Sequence, residues 1–179
     1  MTPDQYLGQL REIGWFDGLP SQAAMDVEAN VRRTLNAGEA PEPWPEPIWF
    51  DCESIGEPGD YKSLLDLFAR CSYGTFEPAN VQEQWEDDED QVVHLAFELY
   101  GRRFERTLRG EDSWVSPDFF DLLDEAMEKS GTGLAFGDID TGDQTAMFFL
   151  CNAEAFDRAE ESGLLPEIAP VGEGDDDDE

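Results

Sequence analysis

An excess of acidic side chains constrains this chain more than any motif in it. There are 43 Asp and Glu against 11 Lys and Arg, for a formal charge of −32 in 179 residues. The tail VGEGDDDDE contributes Glu173, Asp175, Asp176, Asp177, Asp178 and Glu179, but most of the excess lies in the body. A body so charged repels itself, and a fold must offset that repulsion with buried apolar surface. The material is present: 40% of the residues are hydrophobic, with 12 Phe, 5 Trp and 4 Tyr. The length fits one domain of ordinary size. Direct binding to nucleic acid is not expected, because phosphate contacts need clustered Lys and Arg. An anionic membrane surface is disfavoured for the same reason.

Three uses of the charge stay open at this point. The surface can face a basic partner, where opposite potentials speed encounter. It can imitate the phosphate array of nucleic acid. Or it can serve solubility or function at high salt; only Lys62 and Lys129 are lysines, while arginine occurs nine times. No run approaches the roughly 20 apolar residues of a membrane span. MTPDQYLGQLREIG lacks the basic-then-apolar pattern of a secretory signal. Cys52, Cys71 and Cys151 are too scattered for a zinc site and odd in number for a disulfide framework. The expectation is a cytoplasmic protein with reduced thiols and no cofactor.

Local patterns give an α+β fold. Tyr6, Leu7, Leu10 and Ile13 fall at helical spacing after Pro3. Ser21 can cap a second helix whose Ala24, Val27, Val31 and Leu35 share a face, with Gly38 as its stop. These make an N-terminal helical hairpin over 1–38, packed on the main sheet. Prolines at 41, 43, 45 and 47 then forbid a helix and give a stiff connector over 39–47. IWFDCE reads as a strand, and Asp60 caps a helix with Tyr61, Leu64, Leu65, Phe68 and Cys71 on one stripe. NVQEQWE is a short strand ending in a run of acids, Glu86 to Asp90, which cannot be buried together.

QVVHLAFELYGRRFERTLRG carries the clearest sheet signal: Val93, Leu95, Phe97 and Leu99 alternate, as do Phe104 and Leu108, around a Gly101-Arg102 turn. Ser116-Pro117-Asp118 opens a helix with Phe119, Phe120, Leu123, Ala126 and Met127 on its core face. LAFGDID and QTAMFFLC pair across Thr141-Gly142-Asp143, and the unbroken MFFLC predicts a central strand covered on both faces. Asn152 caps a last helix. The whole predicts one α+β domain over 1–168, mainly antiparallel and flanked by helices, then a disordered acidic tail over 169–179.

FGDIDTG resembles, in its Asp138-x-Asp140 pair, the Asp-x-Asp-x-Thr with which haloacid-dehalogenase-type phosphotransferases begin their active site, though Thr141 follows Asp140 directly. There the motif opens a long α/β domain, and a downstream lysine holds the phosphate. Here Asp138 and Asp140 lie near the chain's end and no lysine follows Lys129. Gly142 and Asp143 supply turn chemistry of their own. An EF-hand-like calcium loop also fails, since Gly142 precedes Asp143 and a hairpin is not a helix-loop-helix. The expectation is a hairpin with Ile139 toward the core and both aspartates toward solvent. His94, the sole histidine, has no recognisable nucleophile context and reads as structural. Arg102, Arg103, Arg106 and Arg109 read as cross-strand partners for nearby acids.

The blocks WFDCESIGEPGDYKSLLDLFARCSYG, SWVSPDFFDLLDEAMEKSG and FGDIDTGDQTAMFFLCNAEAFDRAEESGLLP resemble, in layout, small bacterial domains that include toxin-immunity proteins. The resemblance spans roughly residues 48 to 166 and implies a cytoplasmic α+β protein that binds and blocks a partner. It carries over no site residues. The function expected is therefore non-catalytic: an acidic binding protein, of the immunity type, against a basic toxin or nuclease. Its expected contact residues are Trp85, Glu86, Asp87, Asp88, Glu89 and Asp90, an aromatic ringed by charge, with Asp112 and Trp114. Trp44 is a lesser candidate. The alternatives are a magnesium-dependent phosphatase built on Asp138 and Asp140, or a generic acidic protein adapted to high salt.

Overall fold

Alternation of apolar and polar residues dictates the first half of the sheet structure, and unbroken apolarity the second. The structure, a computed structural model, describes residues 1–87, 92–111 and 113–166. In chain order the elements are α1 (Pro3–Glu12), α2 (Ser21–Ala37), β1 (Ile48–Asp51), α3 (Asp60–Arg70), β2 (Ala79–Asp87), β3 (Val92–Leu99), β4 (Arg102–Arg109), α4 (Pro117–Ser130), β5 (Leu134–Ile139), β6 (Thr145–Asn152) and α5 (Ala153–Glu161). The fold is α+β, as expected. Its strands divide between two three-stranded sheets, β1-β6-β5 and β2-β3-β4, and every pairing is antiparallel. The tail expected over 169–179 lies outside the described residues.

β6 is the central strand of the first sheet, and both its faces are covered. Phe148 and Leu150 face a core shared with α3, α4 and the inner face of the second sheet. Met147, Phe149 and Cys151 face a second core built from α1, α2 and α5. The N-terminal helices are an antiparallel hairpin, tied by Arg11 to Glu28 and by Arg32 to Asp4 at 2.8 Å. Thr2 begins α1 with a capping box, its hydroxyl accepting from the Gln5 N–H while the Gln5 side chain accepts from the Thr2 N–H.

Several local expectations shift. Ser21 is the first residue of α2 rather than its cap, which is Pro20; the helix buries Ala23 and Thr34 beside Val27 and Val31, while Leu35 is half-buried against the second core. Asp60 opens α3, and its carboxylate accepts from the Gly56 and Glu57 N–H groups, both at 2.8 Å, instead of capping a later turn. The β3–β4 turn is Tyr100-Gly101, because Leu99 pairs with Arg102. Both turn residues have positive φ, 51° and 75°, the twist-matched two-residue hairpin geometry.

The proline segment is locked down. Trp15 Nε1 donates to the Pro43 carbonyl at 2.7 Å and Asn30 Nδ2 to the Trp44 carbonyl at 2.9 Å. Trp44 is 5% exposed and packs on Phe149 with ring centroids 5.5 Å apart, so it is core and not a contact residue. Tyr73 links three parts of the chain: its hydroxyl donates to Asp26 at 2.7 Å and accepts from the Glu46 N–H at 2.9 Å.

Candidate functional site

Antiparallel register places Trp85, Glu86 and Asp87 at one end of the second sheet. Asp87 pairs with Val92, and Val92 with Arg109, so the end of β2 and the end of β4 flank the start of β3. The segment leading from β4 to α4 leaves from this same end. It is held by the Ile55 N–H donating to the Ser113 carbonyl at 3.0 Å and the Val115 N–H donating to the Cys52 carbonyl at 2.7 Å. Asp88, Glu89, Asp90 and Asp112 lie outside the described residues, and of Asp87 only the backbone position is described.

The two predicted tryptophans part company. Trp85 is half-buried against the shared core, and its Nε1 donates to Glu83 Oε1 at 2.7 Å. It is a packing residue rather than the free anchor expected. Trp114 is 40% exposed. The exposed Glu111 stands near it in sequence, and its carbonyl accepts from the Trp114 N–H at 2.9 Å.

Glu83 is a residue that sequence reasoning missed. Its carboxylate accepts from the Gly59 N–H at 2.8 Å, from the Lys62 N–H at 3.0 Å and from Trp85 Nε1. A carboxylate from a neighbouring strand thus caps the N-terminus of α3, where the helix dipole favours negative charge. A glutamate in a strand that is full of them gives no signal of such a task.

Among the described residues no element covers the outer face of the second sheet. That face presents Gln82, Gln84, His94, Arg103, Glu105 and Thr107 around a shallow depression of about 440 Å³. His94 bridges two neighbours: Nε2 stands 2.8 Å from Glu86 Oε1, and Nδ1 stands 2.8 Å from Thr107 Oγ1. A proton on Nε2 satisfies both contacts, with the Thr107 hydroxyl donating to Nδ1. Carboxylate, imidazole and hydroxyl in line is the order of an activated nucleophile. The His94 and Glu86 side chains are 41% and 56% exposed, so this row of groups is open to solvent. Contrary to the expected pairing of this hairpin's arginines with acids across the strands, Arg103 meets Glu105 on its own strand at 2.8 Å, Arg106 meets Asp121 at 3.3 Å and Glu125 at 3.0 Å on α4, and Arg102 Nη1 donates to the Lys129 carbonyl at 3.1 Å.

FGDIDTG is a hairpin with aspartates at its rim. Ile139 packs with the second core, while Asp138 and Asp140 are exposed. Asp140 Oδ1 accepts from the Gly142 N–H at 2.8 Å. Asp143 Oδ1 accepts from the Thr145 N–H at 2.8 Å and from the Thr145 and Thr141 hydroxyls at 2.6 and 3.0 Å. These bonds hold the Asp143 carboxyl below the ordinary aspartate value. The acids of the turn are thus spent on the turn. Among the described residues no group of three or more His, Cys, Asp or Glu side chains is arranged to hold a metal ion, and no helix is long and apolar enough to cross a membrane. Burial raises all three thiols above the ordinary cysteine value, Cys151 to about 12. Comparisons with protein-family models, with curated proteins and with solved structures return no match for this chain.

Proposed function

We propose that this chain is a non-catalytic acidic protein that captures a basic protein partner, in the manner of an immunity protein that blocks a toxin or nuclease. The observation that carries the reading is Trp114, a large aromatic left 40% exposed at the acidic end of the second sheet. An aromatic anchor within a ring of charge is the usual make-up of an interface hot spot. The ion pairs add support. Arg11, Arg32, Arg33, Arg103, Arg106, Lys129 and Arg158 each already meet a carboxylate within the chain. The rest of a −32 surface is available to an outside cation. Nucleic acid is not the partner in this reading, and the site works in the cytoplasm beside its target.

Affinity capture from a lysate at low salt tests it, with the full chain and a Glu86→Gln/Trp114→Ala variant side by side. A basic protein retained by the parent, released as salt rises and lost by the variant is the expected result. Rim charges act through encounter, so the association rate should fall about tenfold or more from low to physiological salt. Retention of the same protein by both chains would move the contact elsewhere. If no basic protein is retained at low salt, the reading fails.

A further inference from the structure

A second acidic feature lies away from the Trp114 end, on α4 and the β5–β6 hairpin. Phe120 and Asp124 are four apart on α4 and so share a helix face. Phe136 and Asp138 are two apart on β5 and share a sheet face. The two pairs converge on a pit of about 300 Å³ in the shared core, floored by Phe68, Phe136 and Leu123. Asp138 pairs directly across the ladder with Phe148, which forms one wall. Phe120 extends that wall, its ring stacked on Phe148 at 5.1 Å and 16°. Both rings are only half-buried. Two carboxylates therefore stand at the mouth of an aromatic pit.

Neither carboxylate is satisfied from within. Among the described residues no hydrogen bond or ion pair reaches the Asp124 or Asp138 side chain. The acids around them are treated differently. On the same helix Asp121 and Glu125 meet Arg106, and Glu125 also meets Lys129. On the same hairpin Asp140 and Asp143 are tied into the turn. The Asp124 carboxyl is raised above its ordinary value, by burial first and then by Asp121 and Asp138. Half-exposed aromatic rings and an unneutralised acid pair are two separate costs at one place. A single ligand relieves both if it carries a cation on an apolar stem, since ring faces attract cations as carboxylates do.

We propose that this pit is the anchor site for one lysine or arginine side chain of a basic protein partner. The stem lies in the pit against the stacked Phe120 and Phe148 rings, and the cationic head lies between the Asp124 and Asp138 carboxylates. The volume sits at the lower limit of ligand pockets, roughly 300 to 1,000 Å³, and suits one side chain rather than a cofactor. The proposal rests on the reading of the protein as a binder of a basic partner and gives it a second contact point.

Three capped tripeptides test it by NMR on the full chain at ~20 mM salt, where screening is weak: Gly-Arg-Gly, Gly-Lys-Gly and Gly-norleucine-Gly. The arginine and lysine peptides should shift Leu123 methyl and Phe148 ring resonances saturably, with the norleucine peptide at least about tenfold weaker. Asp124→Asn/Asp138→Asn should weaken the arginine peptide by about tenfold and leave norleucine unchanged. Phe120→Leu, which keeps the pit apolar but removes a ring face, should weaken arginine more than norleucine. Glu86→Gln/Trp114→Ala should change nothing here. Equal response in the double Asn variant, or shifts spread evenly over the acidic surface, would overturn the site. Failure here with capture by the Trp114 end intact discards the pit alone. Peptide binding in the pit with no basic protein captured discards the partner reading and keeps a cation site.

Discussion

The two sheets use one composition in opposite ways. In the first, the central β6 sends Phe148 and Leu150 to one core and Met147, Phe149 and Cys151 to another. In the second, β3 sends Val93, Leu95, Phe97 and Leu99 inward and leaves His94 and Glu98 on an open face. A chain carrying −32 needs surface for its acids and interior for its aromatics. Helices on both sides of the first sheet supply the interior. The open face of the second sheet supplies polar surface without leaving its ladder unpaired. The comparison also sets apart the two proposed contact points. The covered sheet offers only its rim, and there the Asp124–Asp138 pit opens; the open sheet offers its end, where Trp114 is exposed.

The sharpest way to break this contrast is to truncate one residue on each sheet. Phe149 is fully buried among Trp15, Trp44 and Phe156. Phe149→Ala should lower stability by about 3–5 kcal/mol, read as a reduced urea midpoint at unchanged slope. Gln84→Ala, on the open face opposite His94, should stay within about 0.5 kcal/mol. A Gln84→Ala loss comparable to that of Phe149→Ala would mean that something covers the open face in solution.

Much of this contrast was written in the periodicity. MFFLC without a polar residue marked a strand covered twice, and VVHLAFEL with its alternation marked a strand covered once. Helix stripes and the Asn152 cap, whose Oδ1 accepts from the Ala155 N–H at 2.9 Å, were legible because they are local. The division into two sheets was not, because pairing between distant strands leaves no mark on either one. The site was harder still. Trp85 and Trp114 both sit among acids, and nothing local says that one packs on the core while the other is exposed. Glu83 at the start of α3 and the Asp124–Asp138 pair depend on contacts between elements far apart in sequence. In a chain with 43 carboxylates, the few with a distinct task look like all the others.

FGDIDTG hides one more such contact. Gly137 has no need of a special backbone angle, yet an added methyl would meet the Phe156 ring at 2.6 and 2.7 Å and the Cys151 sulfur at 3.0 Å. The glycine lets α5 lie against the first sheet. Gly137→Ala should therefore cost about 1–3 kcal/mol by overpacking. Most of that loss should vanish when Phe156 is also changed to Ala, a coupling that a double-mutant cycle reads directly. Additive losses would show that the glycine serves the strand and not the helix contact.

The smallest expected effect separates the two kinds of acid. The Asp124 carboxyl is raised by burial and by Asp121 and Asp138, so its charged form is disfavoured in the fold. A raised folded value means that the group favours the fold fully below its unfolded value and loses that advantage as pH rises through the folded one. Asp124→Asn should then stabilise the chain at pH 7, by about 0.3–0.5 kcal/mol after solvent screening, with the gain gone near pH ~3. Glu105→Gln on the open sheet should show no gain, because Glu105 already meets Arg103 at 2.8 Å. Thermal melts of both variants at the two pH values make the comparison. An acid whose removal strengthens the fold while weakening the arginine tripeptide is held in place for a ligand; a merely solvated acid would do neither.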